Sequence, residues 1–229
     1  MWQLASPFAS PRAATSLDHG AARQECLVLV SSHHQSHRLS GTPGKSGIIE
    51  ATTDRSPAMQ PWFIPMFYVS GAVLGGLALP RIEQAYLDPD PDARLSVAAW
   101  VKATGVTNVC APIALDASHS VWPIASADEI ICIDMVHISP WEATLGVIKG
   151  AAAILPPTSP FYLYSPYIRE GFATAPSDQA FDQSLRDRNP NWGLRELEAV
   201  ATMAQSVGFS VPVVIEMPAN NLSVVFRRL

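Results

Sequence analysis

Three glycines, Gly71, Gly75 and Gly76, stand ahead of an acidic cluster, Asp88, Asp90 and Asp92, in the stretch FYVSGAVLGGLALPRIEQAYLDPDPDA. A glycine turn followed by a carboxylate is how many α/β proteins grip a nucleotide, with backbone amides near one end and the acid on the ribose hydroxyls. The spacing here is tight. Gly71 precedes Asp88 by 17 residues and Gly76 by 12. An average helix of ~11 residues plus a strand of ~5 needs about the larger of those intervals. Pro80 also falls inside the space such a helix would occupy, where it removes a donor and clashes with the preceding turn. The aspartates read as half of a nucleotide site, and the glycines beside them do not read as the other half.

A second group of reactive side chains lies in DEIICIDMVHIS, where Asp134 and His137 interrupt a nearly continuous apolar run from Ile130 to Ile138. A carboxylate in such a run needs a partner or a raised pKa, and residues of that kind cluster in functional sites. His137 stands at the end of a predicted buried strand, and ligands bind at strand C-termini in open α/β sheets; a satisfied core histidine is the plainer account. The cluster HHQSH at His33, His34 and His37 has metal-binding residue types but no nearby carboxylate or cysteine to complete a site. It reads as a solvated loop, and no metal is expected. Cys26, Cys110 and Cys132 show no CxxC spacing; Cys132, within the apolar run, reads as a reduced buried thiol.

The elements that must position these groups alternate. DARLSVAAWVKATG predicts a helix with Leu95, Ala98, Ala99 and Lys102 at helical spacing and Gly105 as its stop. NVCAPIALDAS predicts a strand ending at Asp116, and the run through Ile138 a strand buried on both faces of a parallel sheet. In SPWE, Ser139 is placed to cap the next helix, with Pro140 at its first position and Glu142 completing a capping box. That helix ends at Pro156-Pro157, and FYLYSPY (Phe161–Tyr167) follows as a strand. SDQAFDQSLRDR and GLRELEAVATMAQSVG are helical, and SVPVVIEMPANNLSVVFRR is two β-rich runs joined by an asparagine turn. Alternating strand and helix, closed by a hairpin, predicts an α/β fold with a doubly wound, mostly parallel sheet and a C-terminal antiparallel hairpin. The hairpin suits the methyltransferase variant of this architecture better than a dinucleotide dehydrogenase.

Upstream the pattern is different. Residues 1–60 form an irregular N-terminal extension in this reading, although CLVLV (Cys26–Val30) and SGIIEAT (Ser46–Thr52) each have the makings of a short strand. Residues 61–229 form the α/β domain. Arg12 alone is too little basic charge to make the Ser/Ala/Pro-rich start a transit peptide. No charge falls between Arg55 and Arg81, a span long enough to cross a bilayer. Three accounts of SGAVLGGLALP stand side by side: a strand with a kinked helix, a membrane segment with a GxxxG face, or part of a lead joined by an altered exon, start site or reading frame. With 229 residues, 48% of them hydrophobic and 15% charged, the chain can bury a large core, and a net charge of −5 does not favour nucleic acid as a partner.

ICIDMVHISPWEATLG, FYLYSPY, TAPSDQAFDQSLRDRNPNWGLREL and EMPANNLSVVFRR together resemble the methyltransferase-like protein twenty-six family, over about residues 88–229. The resemblance implies a class I, Rossmann-like S-adenosylmethionine-dependent methyltransferase fold acting on an unspecified small-molecule or protein acceptor. It implies S-adenosylmethionine as cofactor. Independently of the resemblance, a cytoplasmic protein is expected, with mitochondrial association or membrane association through residues 61–80 as alternatives. The resemblance places Asp88, with Asp90 next, on the ribose hydroxyls, Asp116 near the adenine, and Asp134, Met135, His137 and Trp141 along the methyl-transfer cleft. His137 or Asp134 is then the proton-accepting base, with Tyr164, Tyr167 and Asn220 at the substrate rim. Each has a plainer account: helix capping for the first acids, turn formation for Asp116 and Asn220, and wedging of helix onto sheet for Trp141. Relatives tend to carry Asn where this chain has Asp134, and a string like E-[IVA]-[AG]-S-G-T-G-x-H that this chain lacks. That lack implies impaired cofactor binding, and a catalytically silent binding protein or non-functional variant is the alternative function.

Overall fold

A computed structural model of the protein describes residues 26–30 and 83–229. Gly71, Gly75, Gly76, Pro80, the His33, His34 and His37 cluster, the Ser46–Thr52 run and the apolar segment 61–80 lie outside the described residues. The strands are Cys26–Val30 (β1), Glu83–Asp88 (β2), Ile113–Ala114 (β3), Glu129–Ile133 (β4) and Pro160–Ile168 (β5), then Arg195–Glu196 (β6), Val213–Glu216 (β7) and Asn221–Arg227 (β8). The helices are Pro91–Thr104 (α1), Trp141–Ile154 (α2), Pro176–Arg188 (α3) and Leu197–Ser206 (α4).

These strands form one sheet in the order β3-β2-β1-β4-β5-β8-β7, with β6 paired to β5. Pairing is parallel from β3 through β5, and β8 runs antiparallel to both β5 and β7. The architecture is the doubly wound, mostly parallel sheet with a closing antiparallel hairpin that the alternation predicts. Its central strand is CLVLV, which comes from ahead of residue 61. Register places Val30 between Leu87 of β2 and Cys132 of β4.

Because side chains alternate across a strand, one face collects Val28, Val30, Ala85, Leu87, Ile130, Cys132, Phe161 and Leu163. They share a core with Val147, Ile148 and Ala151 of α2 and Leu197, Val200 and Ala204 of α4. On the other face Tyr86 packs with Val97 and Val101 of α1.

Four local expectations need correction. In α1 the buried residue is Val97, while Leu95 is 68% exposed; the helix turns its β-branched valines, not its alanine stripe, onto Tyr86. β4 stops at Ile133 rather than continuing through Ile138, because Asp134 takes a left-handed backbone (φ 55) that ends the ladder. Ser139 does not cap α2. Its hydroxyl donates instead to the Met135 carbonyl at 2.7 Å, and the helix begins from Pro140 without a side-chain cap. The strand predicted to reach Asp116 shrinks to Ile113–Ala114, preceded by an isolated bridge from Val109 to Gln84. Pro112 offers no N–H to a longer ladder.

Candidate functional site

In a parallel sheet wound in both directions, the crevice opens at the carboxyl ends of the strands where the winding reverses. Here that point lies between β1 and β4. Leu87, Val30 and Cys132 form a row across β2, β1 and β4, so the β2 and β4 tips stand about 10 Å apart at the usual strand spacing. Asp88 follows Leu87 directly, and Asp134 comes two residues after Cys132. The sequence-predicted acids thus flank the end of the central strand.

Asp88 is fully buried. Its Oδ2 accepts from the Tyr86 hydroxyl at 3.1 Å and its Oδ1 from the Asp90 amide at 2.8 Å, while the Arg94 guanidinium donates to its carbonyl at 2.7 Å. Pro89 follows and ends the strand. Asp90 caps α1, its carboxylate accepting from the Asp92 amide at 2.9 Å, which orients that helix start beside Asp88. Asp116 is exposed, and its Oδ1 accepts from both the amide and the hydroxyl of Ser118. It closes its own turn at the β3 end of the same rim.

Asp134 donates its backbone N–H to the Tyr164 carbonyl at 2.8 Å, which ties the tip of β4 to β5. Burial pushes its carboxyl up to about 6. The half-buried Tyr164 is raised by burial and by Asp134 close by. Met135 is fully buried in the main core. His137 turns inward as well: its Nδ1 lies 2.6 Å from the Ser165 hydroxyl and its ring meets Phe181 edge-on. Burial, reinforced by the Arg188 and Arg195 charges, lowers its pKa to about 3. His137 is therefore a neutral imidazole throughout the physiological range. Cys132, beneath the same tip, is buried and free, its thiol pushed up by burial and then by Asp134.

Arg195 holds this turn, and nothing in the residue types or spacing singled it out. Its Nε donates to the Val136 carbonyl at 3.1 Å and its Nη2 to Ser139 at 2.7 Å and Asn191 at 2.8 Å. The guanidinium lies 5.9 Å from the Trp141 ring, at the first residue of α2. The signal was the polar density of NPNWGLRE, which reads equally well as a helix start. Tyr167 and Asn220 belong to a neighbouring cavity of about 230 Å³, at the far end of β5 and beside the β7–β8 turn. No cluster of metal-ligating residues occurs among the described residues. Among them, too, no helix is long and apolar enough to cross a membrane.

The strand order and this crevice define the class I methyltransferase fold. Solved structures with it include PigF with SAH, at TM-score 0.64 and 12% identity over 89% of this chain and 50% of that one. An O-methyltransferase family protein from Burkholderia thailandensis matches at TM-score 0.65 and 12% identity, over 90% of this chain and 52% of that one. The mitomycin 7-O-methyltransferase MmcR matches at 0.64 and 13%, over 90% and 49%. The chain spans about half the length of these structures. It belongs to the family described as "Protein of unknown function (DUF938)", whose model matches residues 72–228. The match overlaps the stretch of about residues 88–229 over which the sequence resembles a methyltransferase-like family.

Proposed function

We propose that the protein is an S-adenosylmethionine-dependent methyltransferase using the crevice between β1 and β4. The supporting observation is the placement of Asp88 and Asp134 on either side of the central strand's tip, at the winding reversal. The donor chemistry fits the cofactor. Asp88 is an acceptor-only carboxylate at a strand tip, the group that takes the hydroxyls of a ribose diol. S-adenosylmethionine, when bound, supplies an electrophilic sulfonium methyl.

The residues of the chain align the nucleophile, exclude water and manage its proton. Of the two candidate bases, Asp134 is the one we assign. With a pKa near 6 it is mostly ionised at neutral pH, yet basic enough to take a proton from an O–H or N–H nucleophile. His137, neutral and held by Ser165, secures the turn from within. Tyr164 borders Asp134, and Trp141 borders the turn under Arg195.

A second reading, a catalytically silent methyltransferase-like binding protein, is favoured by one observation: the chain lacks the glycine string that the family resemblance implies. Calorimetric titration separates the two. The transferase reading expects a Kd on the order of micromolar for S-adenosylmethionine, abolished by Asp88→Ala. No heat at millimolar ligand supports the silent reading.

A further inference from the structure

The cavity beyond Tyr164 has walls the crevice does not share. Its polar and aromatic lining comes from Tyr167, Arg169, Phe172, Asp178, Glu216 and Asn220. At about 230 Å³ it is smaller than the roughly 300–1,000 Å³ of sites for drug-sized ligands, so it suits one end of a small molecule. Its lid already seats a cation. The Arg169 guanidinium lies 3.9 Å from the Phe172 ring centroid, and its Nη1 is 3.0 Å from Glu216 Oε1. An aromatic face with a carboxylate beside it is the chemistry that binds ammonium groups.

The second carboxylate, Asp178, is held in place by Asn220, whose side-chain amide donates to its Oδ1 at 3.2 Å. That contact depends on a strained turn. Ala219 and Asn220 both take left-handed backbone (φ 57 and φ 58), a conformation that non-glycine residues rarely adopt and that concentrates at ligand sites. Tyr167, 5% exposed and part of the main core, forms one wall of the cavity. Two carboxylates against one guanidinium leave the lining with one negative charge in excess.

We infer that this cavity binds the ammonium group of a small-molecule methyl acceptor, with Asp178 and Glu216 as its counter-charges and Phe172 as its aromatic wall. The inference rests on the transferase reading and adds the substrate class. The ammonium is a handle and not the reacting atom. Tyr167 lies three residues beyond Tyr164 on β5, about 10 Å at the usual strand rise, and the transferase reading puts the nucleophile at the Asp134 end. Arg169 is a resident competitor: an exposed pair with Glu216, 79% exposed, is easily displaced.

The test uses the full chain and three probes of one shape by ligand-observed NMR: tyramine, the neutral alcohol tyrosol and 4-hydroxyphenylacetate. Tyramine is expected to bind saturably, with tyrosol at least about tenfold weaker and the acid weaker still. Asp178→Asn and Glu216→Gln should each weaken tyramine by about three- to tenfold, and Arg169→Gln should tighten it. Phe172→Ala, at a surface position, weakens it without unfolding the chain. Equal binding of tyrosol, preference for the acid, or weakening by Arg169→Gln overturns the inference. S-adenosylmethionine titration of the same samples keeps the two readings apart. Cofactor binding without tyramine binding sinks only the handle; tyramine binding without cofactor binding sinks only the transferase.

Discussion

At Asp134 a carboxyl sits where burial raises its pKa from 3.8 to about 6. The folded state therefore holds its proton more tightly than the unfolded chain. The resulting penalty is complete above pH 6 and is relieved as pH falls toward 3.8. A shift of this size corresponds to about 2–3 kcal/mol. Asp134→Asn keeps the shape and removes the charge, so the variant should be more stable than the wild type by about that amount at pH 7. The advantage should shrink toward zero by about pH 4; urea titrations at both pH values measure it. His137 acts in the opposite direction. Its depressed pKa contributes stability that is present above pH 6.5 and lost as pH falls toward 3, and because both proteins share it, the difference isolates Asp134. An advantage that persists unchanged at pH 4 would mean that the carboxyl is not buried as described. Asp134 was legible in the sequence because a lone acid in an apolar run is conspicuous. The inward turn of His137 was one of two readings, and the sequence did not name its partners, since Ser165 and Phe181 lie 28 and 44 positions away.

Among the elements, α2 shows what a single sequence withholds. Its end follows from Pro156-Pro157 and its start falls within SPWE, though not through a Ser139 cap, but its two glycines look like defects in a helix interior, each ~1 kcal/mol worse than alanine. The packing accounts for them. A Cβ on Gly146 would stand 1.8 Å from the Ala117 carbonyl oxygen, and one on Gly150 would stand 2.1 Å from the Trp122 indole. The helix lies directly on the segment that follows β3, and only hydrogen side chains permit that approach. Gly146→Ala should therefore destabilise the protein despite its better helix propensity, by about 1–3 kcal/mol or more, because backbone cannot swing aside. Gly150→Ala should cost less, since an indole can re-pack. Thermal unfolding followed by circular dichroism ranks them, and a Gly146→Ala protein as stable as wild type would show that the helix does not press on this loop. Periodicity finds a helix but not its rotation about its axis, which is why Val97 and not Leu95 faces the core of α1. The glycines that drew notice in the sequence, Gly71, Gly75 and Gly76, fit a familiar nucleotide pattern. Those that the fold demands fit none, because the contacts that require them are long-range.

For the whole molecule, β1 matters most. The strand–helix alternation and closing hairpin announced the architecture from about residue 88 onward, but the central strand had to come from a stretch without periodicity. CLVLV is short and is legible only as a run of apolar residues. Its neighbours β2 and β4 are distant in sequence, so no local pattern reveals that it joins them. Val28 is completely buried and Val30 is 4% exposed, and β1 pairs along its length with β2 and for most of it with β4. Without β1, the strands carrying Asp88 and Asp134 have no common neighbour, and each presents a raw edge that invites aggregation. Val28→Asp places a charge between Ala85 and Ile130 with no partner, and should cost about 4 kcal/mol or more. A chain beginning at Met59 should lose the cooperative urea transition altogether, bind a dye for exposed apolar surface, and fail to take up S-adenosylmethionine even though every named acid remains. A truncated chain that unfolds with the midpoint and slope of the full chain would show that the sheet closes without CLVLV. In that case Asp88 and Asp134 could not be held apart by the strand between them, and the crevice would need a different floor.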